Sequence, residues 1–168
     1  MDTFRRDLML RESDSRLQSA DLLQRSRDGS DSAYLLRLLG FELQLKVIFE
    51  ESLGATAPRH HRYAEIFTAL PEDVQTKLVR LAGERIGPSS LTDDPKKVLT
   101  ELGANFIGLR YPYDKYIGMS EAEYTKAGND WMAAGADVET AKFRYYPQEL
   151  VGLIYGAQRF IDDCKRVG

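Results

Sequence analysis

The chain has 168 residues, 43% of them hydrophobic and 29% charged, with 23 Lys and Arg against 26 Asp and Glu for a formal net charge of −3. That length suits one domain with a self-sufficient core, and the composition excludes a disordered polyelectrolyte. It also excludes a broadly basic nucleic-acid surface, so any RNA contact has to come from a local patch.

From Phe4 to Arg27 the sequence permits a helix with apolar positions at Leu8, Leu17, Ala20 and Leu23. Its middle, Arg11 to Arg16, is wholly polar, which predicts a bend or a first half that projects from the body. Gly29 to Ser32 supply a turn and N-cap side chains. The segment from Asp31 to Leu53 is the most apolar in the chain. At 100° per residue, Arg37 and Gln44 share one narrow stripe and Glu42, Lys46 and Glu50 share a nearly opposite one, with apolar surface on both flanks. This predicts a central helix contacted from two sides, on which Glu42 and Lys46 form an i,i+4 pair in the favoured orientation.

After a linker from Gly54 to Pro58, the run His61 to Leu70 predicts a short helix with Tyr63, Ile66, Phe67 and Leu70 on one side. Pro71, Glu72 and Asp73 open another, carrying Val74, Leu78, Leu81 and Ile86 to a stop at Gly87-Pro88. A polar loop then reaches Asp94-Pro95, a cap followed by a first-turn proline. The helix it opens turns Val98, Leu99, Leu102, Phe106 and Leu109 inward and breaks before Pro112.

From 111 to 146 the pattern changes. Tyr111-Pro112-Tyr113 and Lys142 to Tyr146 are aromatic and extended in character and can pair as a small β-hairpin, with a short helix in the intervening Ser120 to Ala134. Pro147 opens a last helix with Leu150, Val151, Leu153, Ile154, Ala157, Phe160, Ile161 and Cys164 on one stripe. Cys164 is expected there as a buried, inert thiol, and Gly152 and Gly156, four apart, suit close helix approach in a dimer. The expected fold is all-α: a single domain over 1–168, an antiparallel bundle of five to six helices with 111–146 as an irregular insertion before the last helix.

Cys164 is the only cysteine, so no intramolecular disulfide forms, and with two histidines no Cys/His zinc cluster can be assembled. No metal and no cofactor are expected. The N-terminus lacks the apolar run of a leader and no stretch is long enough for a membrane span, so a cytoplasmic protein without membrane contact is expected.

Three stretches, taken in order, resemble the HEPN superfamily of helical domains. Ser19 to Leu23 followed by Tyr34 to Lys46 is similar to the family's paired first helices, with a Glu and a Lys in the second. His61 with Glu65 to Pro71 resembles its His, Leu-Phe and Leu-Pro pattern, and Asn105 to Asp114 the Arg-Tyr-x-Tyr-acid segment of one subset of the family. The resemblance spans about Leu17 to Asp163. It implies a prokaryotic stress or defence setting, a homodimer, and RNA, a nucleotide or a cognate protein as partner. The family's ribonucleases carry an Arg followed, after four to six residues, by His; here Lys115, Tyr116 and Ile117 stand at those places beyond Arg110. Efficient catalysis is therefore not expected.

The residues that carry chemistry follow. Arg110, at a helix end beside an aromatic turn, can hold a phosphate through two hydrogen bonds or pair with Asp114 or Glu42. His60 and His61, between Arg59 and Arg62, form the densest basic run, and imidazoles suit the proton transfers of RNA transesterification. The same run also reads as a surface cluster opening a helix. Arg110, His60 and His61 are the catalytic candidates. The ligand-binding candidates are Arg110, Tyr113, Asp114, Glu42, Lys46, Lys142 and Arg144: the aromatics and cations of the insertion suit stacking on a single strand, or covering an edge or dimer contact. The expected function is binding or regulation through RNA, a nucleotide or a partner protein. A divergent metal-independent endoribonuclease and a structural interaction module are the alternatives.

Overall fold

The computed structural model describes residues 2–27, 29–137, 140–141 and 144–167, and among them every regular element is helical. The order is α1 (Thr3–Arg25), α2 (Ser32–Leu53), α3 (Tyr63–Thr68), α4 (Glu72–Ile86), α5 (Ser90–Asp93), α6 (Pro95–Gly108), a 3-10 helix (Pro112–Tyr116), α7 (Glu121–Ala133) and α8 (Pro147–Val167). The bundle thus has more pieces than the expected five or six helices. One of the additions is α5, a single turn in the stretch predicted as a polar loop. Ser89 and Thr92 close a capping box around it, and its Leu91 is fully buried.

The apolar surface on both flanks of α2 is covered from several directions, by α1, α3, α6 and α8. Leu38, Phe41, Leu45, Val47 and Ile48 are buried there, each large aliphatic worth about 1.5–3 kcal/mol for its removal from water. Gly54, with φ of 63°, ends α2 in the left-handed conformation that costs glycine nothing. At α6 the predicted cap is present: Asp94 accepts from the Lys97 N–H at 2.9 Å, and Pro95 takes the first turn.

Four expectations are corrected. The polar middle of α1 neither bends away nor projects. Ser13 is buried and its hydroxyl donates to the Gly40 carbonyl at 2.9 Å, while Arg5 and Arg6 tie the first turns to Glu50 and Glu51 of α2. A short polar side chain opposite a glycine is what lets the two helices touch. Gly152 and Gly156 serve a contact within the chain: a Cβ at Gly156 would stand 2.9 Å from the Leu78 carbonyl oxygen of α4. Cys164 is exposed, because the buried stripe of α8 ends with Phe160 and Ile161. Partial desolvation, with Glu51 nearby, pushes its thiol above the ordinary value and keeps it a weak nucleophile at neutral pH.

The fourth concerns the insertion. The described residues contain no strand. Pro112 fixes φ and starts a 3-10 helix, with the Asp114 N–H donating to the Tyr111 carbonyl at 3.0 Å, where the first arm of a hairpin was expected. Of the second arm, Lys142 and Phe143 lie outside the described residues. Arg144 to Tyr146 run without regular structure onto α8, docked by Asn105 Nδ2 donating to the Arg144 carbonyl at 2.7 Å and by the Tyr146 N–H donating to the Tyr34 hydroxyl at 3.3 Å. The predicted short helix is α7, a helix with a capping box at Ser120 and no buried residue. Among the described residues, no helix is long and apolar enough to cross a membrane.

Candidate functional site

On α2, Glu42 and Lys46 are one turn apart, with Glu42 turned toward the segment entering α3. Lys46 Nζ donates to Glu42 Oε1 at 2.7 Å, with the Glu42 side chain 7% and the Lys46 side chain 13% exposed. A pair so removed from water needs its remaining lone pairs satisfied. The second carboxylate oxygen finds His61, in the segment entering α3, whose Nδ1 is 2.7 Å from Oε2. A carboxylate facing an ammonium accepts only, so the ring proton is assigned to Nδ1, leaving Nε2 as the nitrogen available for chemistry. The His61 side chain is 35% exposed.

The aromatic floor is Phe106 of α6. The His61 ring lies 4.3 Å from it centre to centre with a 43° tilt, and the Arg110 guanidinium carbon is 5.0 Å from the same centre. Arg110 is exposed, stacks also on Tyr111 at 5.7 Å, and makes no ion pair among the described residues. Its expected partners, Asp114 and Glu42, are therefore not what holds it. Buried Tyr63 closes the inner side, its hydroxyl donating to the Leu38 carbonyl at 3.2 Å. Burial, followed by the charge of Glu42, pushes this phenol well above its ordinary value, so it stays protonated and takes no part in proton transfer at neutral pH. Gly103 sets how close α6 comes, since a Cβ there would stand 2.7 Å from the His61 carbonyl oxygen.

The structure thus joins three of the candidate residues, Glu42, Lys46 and His61, by direct bonds, and brings a fourth, Arg110, to the same Phe106 ring as His61. The others go elsewhere. His60 turns into its own loop, where its Nδ1 accepts from the Arg62 N–H at 3.3 Å and its Nε2 is 3.6 Å from Glu65. Arg144 pairs with Glu101 at 3.1 Å, and Glu101 is about 160° around α6 from Gly103. Tyr113 and Asp114 are exposed on the 3-10 helix beyond Arg110, with the Tyr113 ring against Tyr111 at 6.2 Å. Lys142 is outside the described residues.

Phe106 and Gly103 are the members that sequence reasoning passed over, Phe106 having been assigned only to the inner face. The spacing of Phe106 and Arg110, four apart toward the end of a helix, is the signal that could have found the ring beneath the cation. Among the described residues no group of three or more His, Cys, Asp or Glu side chains is placed to share a metal ion.

Compared with family models, with curated proteins and with solved structures, the chain matches none of them.

Proposed function

We propose that this chain is a HEPN-like helical domain that binds RNA by a phosphodiester held at the His61–Arg110 cluster. The observation that carries the reading is the shared ring: a Glu42-held imidazole and a guanidinium without an ion-pair partner among the described residues both lie within 5.0 Å of the centre of Phe106. An uncommitted guanidinium supplies bidentate donors for phosphate oxygens, and the imidazole against the same ring supplies a further donor or acceptor. The HEPN part of the reading rests on the sequence resemblance, with which an all-helical bundle agrees. With it come a cytoplasmic, prokaryotic stress or defence setting, a homodimer and a cognate protein partner.

The test is anisotropy of a labelled single-stranded RNA across a salt series. Affinity that falls with salt and is weakened about tenfold or more by Arg110→Ala supports the reading. No binding by the folded protein at low salt overturns it and leaves the structural interaction module.

One observation favours a second reading, metal-independent RNA cleavage. Glu42 fixes His61 in the tautomer and orientation of a general base, the role a carboxylate plays in known His-dependent sites. His61 Nε2 would take the 2′-hydroxyl proton as O2′ bonds to phosphorus and the P–O5′ bond breaks. The departing alkoxide would take a proton from water, and Arg110 would balance the phosphorane charge. Cleavage in excess EDTA that is lost in His61→Ala and kept in His60→Ala would establish it. Absence of cleavage by protein that binds RNA would reject it.

A further inference from the structure

We infer that the cleft between the segment entering α3 and the neighbouring face of α6 is a nucleoside subsite for single-stranded RNA. It takes the unit beyond the phosphate at His61, with Lys96 meeting a phosphate further along the strand. This rests on the RNA-binding reading above. The cleft encloses about 500 Å³ and shares His61 with the site, a volume within the range of small-ligand pockets.

Its α6 wall is one helical face. Lys96, Thr100, Gly103 and Ile107 recur at intervals of four, three and four, and Arg110 follows three residues on, just past the helix end. At 1.5 Å per residue the two positions are about 21 Å apart along the helix axis. A row of that length favours a polymer over a single nucleotide. Between the cations the face is small or apolar: at buried Gly103 the backbone of the segment entering α3 comes close and narrows the cleft, and Ile107 is 52% exposed, an apolar surface against which a base or ribose can lie.

Across the cleft, Arg62 pairs with Glu65 at 2.9 Å, and Glu65 also faces His60, so that wall is close to neutral. Lys96 is exposed and makes no ion pair among the described residues. The charge along the row is therefore set by its two ends, and its middle is suited to a nucleoside. Cation, apolar gap, imidazole and cation match the alternation of phosphate and nucleoside along a strand.

The experiment compares an eight-nucleotide oligouridine with an abasic phosphodiester of the same length and a polyglutamate peptide of matching charge. The wild type should bind oligouridine about tenfold tighter than either. Lys96→Ala should weaken it several-fold and lower the salt slope by about one, and Thr100→Trp, which fills the cleft from an exposed position, should remove the preference for bases. Circular dichroism verifies that both variants remain folded. If oligouridine binds in an Arg110-dependent way while Lys96→Ala and Thr100→Trp change nothing, the subsite is refuted and the reading beneath it stands. Equal affinity for the abasic chain or polyglutamate refutes it as well. If the folded wild type binds no RNA, the reading fails and the subsite fails with it.

Discussion

Glu50 offers the most direct test of how α1 is held to the bundle. Its carboxylate, 5% exposed, accepts from Arg5 Nη2 at 2.9 Å and Nε at 3.1 Å, and from the backbone N–H of buried Ala57 at 3.2 Å. Glu50→Ala removes the acceptor of a buried N–H, at about 1–3 kcal/mol. The Arg5 side chain is 50% exposed and falls back on water, so its share is screened to about 1 kcal/mol or less. The sum is about 1–4 kcal/mol, at about 2–4 °C in Tm for each kcal/mol at this chain length. Glu50→Gln keeps an acceptor for Ala57 and loses only the charge, at about 1 kcal/mol. The hydrogen bonds from Arg5 hold the carboxyl below its ordinary value against the opposing effect of burial, and Ala57 adds to the lowering. A depressed folded-state value means that the unfolded chain binds the proton more readily. The stabilisation is thus present above the ordinary carboxylate value of about 4.3 and is lost as pH falls below it. Urea unfolding at pH 7, 5, 4 and 3 reads both effects. Wild type should lose more stability than Glu50→Gln between pH 5 and 3. Equal losses, or a Glu50→Gln variant as unstable as Glu50→Ala at pH 7, would refute the reasoning.

Four further outcomes follow from the geometry. Glu42→Gln leaves the Lys46 ammonium nearly buried without a counter-charge and should cost about 2–3 kcal/mol by chemical denaturation, with Lys46→Met recovering at least part of it in the double variant. Gly156→Ala forces a Cβ to 2.9 Å from a backbone oxygen of α4 and should destabilise by about 1–2 kcal/mol after its gain in helix propensity. Gly128→Ala in α7, with nothing within 4 Å of the new Cβ, should show no loss when both variants are compared with wild type in thermal scans. Amide exchange should be fast across Glu121–Ala133, which has no buried residue, and slow in α2, and matching protection in the two helices would contradict this account of α7.

What could be read from the sequence was what is local or periodic. The Asp94-Pro95 start of α6 is a cap and a fixed φ, and the double-flanked surface of α2 is a matter of phase, so both were legible. The α1 seam was not, because polarity along Arg11 to Arg16 normally marks a solvated face. Only knowing that Gly40 lies opposite reveals Ser13 as an interhelix donor. The aromatic residues around Pro112 suggested strands, yet strand propensity is realised only against a partner strand, and proline favoured the local turn.

The site divides in the same way. Glu42 and Lys46 were legible as a pair because a helix sets their separation in advance. The bond from His61 to Glu42 joins residues 19 apart in different elements, and no spacing rule reaches it. His60 and His61 are adjacent and chemically identical, and in the linear sequence nothing ranks one above the other. The fold does, by giving one imidazole a buried carboxylate and the other a loop N–H. That difference bears directly on function. An imidazole spent on a turn is a structural group, whereas one held through Nδ1 has its second nitrogen left for a ligand. A ring on α6 thus brings within 5.0 Å of its centre an Arg and a His that lie 49 positions apart in the chain, a convergence that no Arg-to-His spacing in the sequence announces.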